Sequence, residues 1–213
     1  MAAKFKNRQE AGQLLAEKLI QYKDTMAIIY TLPRGGVILA DEIAKTLNLP
    51  LDLVITRKVG HPDNPEYAVA SVTERGDVLL NPAEPIRVND AWFDMAMERE
   101  QMEAKRRREV YMNGRERINA KGKTAIIVDD GVATGASILL AIQDIRKDVP
   151  WKIVVSVPVI PSEVADKIDS AADELVTILI DDNFLGSVGA YYDDFSEVSD
   201  DLVIEILKRS VSS

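Results

Sequence analysis

The sequence predicts an α/β protein built on a doubly wound, mostly parallel five-stranded sheet. Three observations carry that reading. Short runs that are apolar at every position recur along the chain, and strands of this kind are covered on both faces, as in parallel sheets. Stretches with helical apolar spacing alternate with them, the rhythm that βαβ units produce. A length of 213 residues, 46% hydrophobic and 29% charged, suits one core of ordinary size. Residues 1–213 are therefore read as a single domain.

The first helix starts near Asn7, a capping residue, with Glu10 three positions later in a capping-box-like arrangement. Ala11, Leu14, Leu15 and Leu19 share one of its faces. Met26 to Tyr30 reads as a buried strand, and Val37 to Leu47 as a helix with Val37, Ala40, Ile43, Ala44 and Leu47 on one side. Leu49-Pro50 ends that helix, and Leu51 to Thr56 reads as the second strand. Ala125 to Val128, Lys152 to Val159 and Leu175 to Ile180 complete the set of five strands. Helices from about Ala136 to Lys147 and from Ser162 to Ala171 lie between them.

Between Arg57 and Lys123 the rhythm breaks, and an insertion spanning about 58–120 is expected. It opens with a polar, Pro-rich stretch, RKVGHPDNPEYA, read as a loop. Short strands are expected at Val69–Val72 and Val78–Leu80, then NPAEP leads into a charged helix over roughly Asp90 to Ile118. That helix carries the run Lys105, Arg106, Arg107, Arg108, with Glu103 and Arg107 at i,i+4 spacing. The run fits a solvated, salt-bridged face, and it also fits an anion-attracting rim or a subunit contact. The tail from Asp181 is rich in aromatic and acidic residues, and Ser199 is placed to cap a last helix with Leu202, Ile206 and Val211 apolar.

Composition excludes several kinds of chemistry. There is no cysteine, so neither a disulfide nor a thiolate site is available, and one histidine, His61, builds no multi-histidine metal centre. The net charge of −9, from 26 basic and 35 acidic residues, argues against a general nucleic-acid or anionic-membrane binder. No apolar run approaches the ~18–20 residues of a membrane span, and the amino terminus lacks the apolar segment of a secretory signal. A cytoplasmic location is the expectation.

The segment Ala125 to Ser137, AIIVDDGVATGAS, carries the most chemistry. Its strand delivers Asp129 and Asp130 to the carboxyl edge of the sheet, where open α/β sheets bind ligands. A small loop and a helix start follow, and their amides converge on an anion site, with Thr134 and Ser137 adding hydroxyls. One loop thus offers donors for a phosphate beside acceptors for hydroxyls or Mg²⁺, the combination a ribose 5-phosphate requires. A second segment, Leu32-Pro33-Arg34-Gly35-Gly36, places an arginine and glycine amides ahead of a helix, which makes another phosphate cradle. Arg57-Lys58 ends the second strand.

These segments resemble the type I phosphoribosyltransferases, whose fingerprint for 5-phosphoribosyl 1-pyrophosphate (PRPP) is four apolar residues, two acids, then a short loop ending Thr-Gly and a hydroxyl residue. FKNRQEAGQLLAEKL, LPRGGV, RKVGHPDNPE, DDGVATGAS and NFLGSVGAYYDDF extend the resemblance over nearly the whole chain, to a branch whose acceptor is unassigned. Gly131 replaces a bulkier apolar residue and Ser137 replaces the usual Thr.

The resemblance implies the type I fold with a mobile lid beginning at Val59 to Ala68 and a small hood over about 181–213. It assigns Asp129 and Asp130 to the ribosyl hydroxyls, and Val132, Ala133, Thr134, Gly135, Ala136 and Ser137 to the 5-phosphate. Arg34, Gly35, Gly36, Arg57 and Lys58 fall to the pyrophosphate, with Arg34 and Lys58 neutralising the leaving group. Mg²⁺ arrives with PRPP, with Asp129 and Asp130 as protein-side oxygen donors. Phe184, Leu185, Tyr191 and Tyr192 are the hood candidates for the acceptor, and His61 and Glu66 are minor lid candidates. Ala133 stands where enzymes acting on hypoxanthine and guanine typically carry an aspartate, which disfavours a 6-oxopurine, while the hood resembles that of purine salvage enzymes. The implied reaction is Mg²⁺-dependent transfer of phosphoribosyl from PRPP to a nucleobase nitrogen, by a homodimer. The alternative is a non-catalytic PRPP- or nucleotide-sensing protein.

Overall fold

The computed structural model describes residues 4–81 and 90–210. The elements of the main layer are α1 (Arg8–Lys18), β1 (Ala27–Thr31), α2 (Gly36–Leu47), β2 (Leu51–Leu53), β6 (Thr124–Val128), α4 (Ala136–Arg146), β7 (Lys152–Pro161), α5 (Ser162–Ala171), β8 (Glu174–Asp181) and α6 (Asp200–Arg209). The insertion between them holds β3 (Thr56–His61), β4 (Asn64–Thr73), β5 (Val78–Leu80) and α3 (Asp90–Met112).

The main sheet has the order β2-β1-β6-β7-β8, and every pair is parallel. Its interior strands are mostly apolar on both faces because helices cover both. All of β1 is buried, and β7 is buried at every residue but its first. On one face Leu15, Leu39, Ile43, Val203 and Leu207 of α1, α2 and α6 pack on Ile29, Ile126 and Val154. On the other, Ile138, Ile142, Ile145, Val164 and Ile168 of α4 and α5 pack on Ile28, Ile127 and Val155. The five-stranded, doubly wound arrangement agrees with the sequence.

Local signals set the helix ends. Asn7 accepts the Glu10 amide at 2.9 Å, while the Glu10 carboxylate reaches back to the Lys6 amide at 2.6 Å rather than to that of the cap itself. Ser199 caps α6 through the Leu202 amide at 3.2 Å. Asn48, in the left-handed region at φ 54°, closes α2.

The insertion departs from expectation. Leu51 to Thr56 is not one strand: β2 stops at Leu53, and the Glu74 carboxylate takes the Ile55 amide at 2.9 Å, releasing the chain from the main sheet. Nor is the Pro-rich stretch a loop. β3 and β4 form an antiparallel hairpin, with register shifts around Gly60, and β5 adds a third strand. Val59, Val69 and Val72 form the inner face, packed on Ala96, Trp92, Phe93 and Met97 of α3. α3 ends at Met112 rather than near Ile118, because Asn113 and Gly114 take positive φ (50° and 74°). The lead-in at 82–85, Val211 and the Glu66 side chain lie outside the described residues.

Buried charges join the insertion to the main layer. Arg108 of α3 donates to Asp52 at 2.8 Å and to the Leu53 carbonyl at 3.0 Å. Asp52 also accepts the Ile118 amide at 2.6 Å. Arg117 pairs with the fully buried Asp144 of α4, and Arg75 pairs with Asp148 at 2.8 Å. Burial pushes the Glu74 carboxyl up, and Arg117 opposes that shift.

Candidate active site

Two loops meet at the carboxyl edge of β1 and β6. Leu32 bridges them through its amide, which donates to the Val128 carbonyl at 3.2 Å. The Leu32–Gly36 turn contains a cis peptide between Pro33 and Arg34. It lies so close to the acids that a Cβ on Gly35 would sit 1.9 Å from Asp130 Oδ2. Only glycine fits that approach.

The two acids have different surroundings. Asp130 Oδ2 accepts from Arg8 Nε at 2.7 Å, and the Arg8 guanidinium also donates to the Ser196 carbonyl and lies 3.7 Å from the Phe195 ring centroid. The Tyr192 hydroxyl donates to the Asp130 carbonyl at 2.6 Å. Asp129 accepts the Asp130 amide at 2.9 Å and lines the cavity described below. Burial pushes the Asp129 carboxyl well up, and the neighbouring Asp130 charge adds to it. Burial raises Asp130 too, but Arg8 works against that shift.

The loop after the acids turns into α4 at Gly135, whose φ of 81° suits glycine and where a Cβ would meet Val164 at 2.6 Å. Among the described residues the amides of Ala133, Thr134, Gly135, Ala136 and Ser137 have no hydrogen-bond partner. They form the expected row of open donors at a helix start. Val132 is the exception. It is buried, and its amide donates to the Val159 carbonyl at 2.9 Å, so it anchors the loop instead of offering a phosphate donor.

A cavity of about 310 Å³ opens beside these loops, lined by Leu32, Pro33, Thr56, Arg57, Lys58, Arg107, Asp129 and Ser137. It gathers Arg57, Lys58, Asp129 and Ser137, all read from the sequence. Arg57 is held by Glu100 of α3 at 2.8 and 3.0 Å, whereas Lys58 is exposed and makes no ion pair among the described residues. Arg34 is not brought in: it pairs with Glu197 at 2.6 Å and lies 3.7 Å from Asp200. His61 sits at the hairpin tip, accepting the Asp63 amide at 3.1 Å.

In the tail, Tyr191 is buried. Its hydroxyl donates to Asp181 at 2.6 Å and accepts the Leu185 amide at 2.9 Å, so it braces the turn from within. Phe184 stacks on Tyr191 with centroids 5.3 Å apart, and Leu185 is half exposed beside them. Tyr192 packs between Phe5 and Phe195. Arg8 and Thr56 carry no site signal in the sequence, and Arg107 is there only one of a run that fits a solvated face, an anion-attracting rim or a subunit contact. Arg8 is 122 positions from its acid, and no local pattern reports such a pairing.

Among the described residues no helix is long and apolar enough to cross a membrane, and no cluster of three or more His, Cys, Asp or Glu side chains is poised to hold a metal. The phosphoribosyl transferase domain family matches residues 3–194. The Mycobacterium tuberculosis protein named "Putative phosphoribosyl transferase Rv0571c" is 37% identical over 208 residues, which is 97% of this chain and 47% of that protein. The chain thus spans about half the length of the curated relatives it matches. The crystal structure of TT1426 from Thermus thermophilus is 38% identical, with 97% of this chain and 98% of that one covered and a TM-score of 0.81. By its sequence, its parallel sheet and the acid-bearing loop at the sheet edge, the chain belongs to the phosphoribosyl transferase domain family.

Proposed function

We propose that the protein transfers the 5-phosphoribosyl group of PRPP to a nucleobase nitrogen and releases pyrophosphate, with Mg²⁺ bound alongside PRPP. The observation that carries this reading is the single loop that joins the two acids to the row of open amides from Ala133 to Ser137, with Asp129 and Ser137 sharing one cavity with Arg57, Lys58 and Arg107.

The 5-phosphate is held by the amides at the start of α4 and by the hydroxyls of Thr134 and Ser137. Asp129 and Asp130 accept the ribosyl hydroxyls. The C1–O bond then breaks with its electron pair leaving on pyrophosphate, and the C1–N bond forms. The proton of the acceptor nitrogen passes to solvent. Positioning and charge neutralisation supply the rate. Lys58, without an ion pair among the described residues, meets the departing charge with its ammonium, while Glu100 fixes Arg57 at the wall. Arg34 joins them once it leaves Glu197.

The donor set fits a magnesium ion that shares its shell with substrate. Asp129 brings hard oxygen to the cavity, and Mg²⁺ is commonly held by one or two carboxylates plus phosphates. When bound there, it neutralises charge on the pyrophosphate. β3 contributes Thr56, Arg57 and Lys58 to the cavity lining, and in this reading the β3–β4 hairpin serves as the lid that keeps water from the sugar. Phe184 and Leu185 form the acceptor side, and Ala133 disfavours a 6-oxopurine. A cytoplasmic homodimer completes the proposal.

Two contacts favour the second reading, a PRPP or nucleotide sensor: Arg34 is engaged by Glu197 outside the cavity, and Asp130 is engaged by Arg8. Pyrophosphate release from PRPP and Mg²⁺, measured across a panel of bases, separates the two. Base-dependent release is expected. PRPP binding without release for any base would replace the enzyme with the sensor.

A further inference from the structure

The run Lys105–Arg108 on α3 puts three guanidiniums in successive positions, and their hydrogen bonds differ. Arg106 spends Nε and Nη2 on the two oxygens of Glu103, at 2.7 and 3.0 Å. Arg108 spends both terminal nitrogens, on Asp52 and on the Leu53 carbonyl. Arg107 gives only its Nε, to Glu103 at 2.8 Å. Its two terminal nitrogens have no hydrogen-bond partner among the described residues.

Those nitrogens form the fork that suits bidentate recognition of a phosphate. Arg107 is also the residue of the run that lines the 310 Å³ cavity, with Arg57, Lys58, Asp129 and Ser137. Glu103 serves two arginines with one negative charge, so the group keeps a net positive charge at the cavity wall. The Nε contact fixes the direction of the guanidinium while leaving the fork free, which lowers the ordering cost of a ligand contact. Arg107 keeps a third of its side-chain surface exposed, so the fork remains reachable.

We infer that Arg107 is a pyrophosphate-binding residue, a cation that the insertion helix delivers to the leaving-group side of the cavity. The inference rests on the function proposed above and deepens it. It gives α3 two roles at one wall: Glu100 holds Arg57 in place, and Glu103 aims Arg107.

The test is calorimetric titration of inorganic pyrophosphate with Mg²⁺, and separately of ribose 5-phosphate, into the full chain and into Arg107→Ala, Arg107→Lys and Arg106→Ala. Loss of a charge-assisted contact predicts roughly 10- to 100-fold weaker pyrophosphate binding in Arg107→Ala. Arg107→Lys recovers part of that loss, since it keeps the charge without the fork. Ribose 5-phosphate binding stays within about twofold of wild type, because its phosphate goes to the α4 loop. Arg106→Ala binds both probes as wild type does. Equal pyrophosphate binding by Arg107→Ala and wild type would overturn the inference and leave the proposed function standing. So would equal losses in the Arg106 and Arg107 variants, or a parallel loss of ribose 5-phosphate, since each points to general charge or to misfolding. A wild-type protein that binds neither probe would overturn the proposed function, and this inference with it.

Discussion

The main layer and the insertion are assembled by different forces. The main layer is held by apolar faces: Ile28, Ile127 and Val155 look one way, Ile29, Ile126 and Val154 the other, and all are buried. The insertion has a small apolar core of its own around Val59, Val69 and Val72. It is joined to the main layer by charge, through Arg108 on Asp52, Arg117 on Asp144 and Arg75 on Asp148. Apolar burial is non-directional, whereas a hydrogen-bonded ion pair fixes register and angle. The cavity lies at this seam, with its acid and hydroxyl from the main layer and its cations from β3 and α3. A site split between two units needs a joint of defined geometry, and the buried ion pairs provide one.

The largest effect is expected from the main-layer half of the site. Replacing Asp129 and Asp130 together by Asn removes both charges and turns one acceptor oxygen of each into a donor, and is expected to lower PRPP turnover by on the order of 10²–10³-fold or more. Circular dichroism should show the fold retained. Full turnover in that variant would break the account at its strongest point.

The joint comes next. Arg117→Met leaves Asp144 buried without its main partner, a change that typically costs about 3–5 kcal/mol. Denaturant unfolding reads this directly. A loss below about 1 kcal/mol would mean that the seam is held by something other than these pairs. Gly35→Ala sharpens the other side, because its Cβ would meet Asp130 Oδ2 at 1.9 Å. Overpacking of this kind costs about 1–3 kcal/mol. The displaced acid should weaken PRPP binding in calorimetry more than it lowers stability.

The smallest effect is expected at Glu103, on the exposed part of α3. Hydrogen bonds from Arg106 and then Arg107 hold its carboxyl down at about 2. Its folded value lies below its ordinary one, so its contribution is complete above the ordinary carboxylate range and fades as pH falls toward 2. Exposed helical pairs contribute only about 0.3–0.5 kcal/mol. Glu103→Gln should therefore lower the Tm slightly at neutral pH, with the gap to wild type narrowing as the solution is acidified from pH 5 to 3. A gap that widened would reverse the assigned sign.

The same contrast explains what was legible in the sequence. An apolar run such as Ile126 to Val128 reports its own burial, because each residue must be covered on its own face. The five strands and their helices follow from such runs, and so does the acid-bearing loop, whose residues are contiguous. The β3–β4 hairpin was hidden because its apolar positions are few and Pro62, Asp63 and Pro65 read as a loop. Asp52 sits in the middle of an apolar strand, and nothing nearby says that Arg108, 56 positions on, neutralises it. Arg107 was visible as half of an i,i+4 pair with Glu103, a pattern satisfied equally by a solvated face and by a cavity wall. Tyr191 looked like a free aromatic of the hood, but its hydroxyl is committed to Asp181 and Leu185. Ion pairs and hydroxyl contacts across the chain depend on the finished fold.

In the proposed function one sheet edge grips PRPP from two sides at once. Calorimetric titration of PRPP with Mg²⁺ into the wild-type chain, and into the doubly substituted Asp129→Asn, Asp130→Asn chain, tests it most directly. Saturable binding by the wild type that is lost in the variant is the predicted result. Equal binding by the two proteins, or none by the wild type, would contradict it.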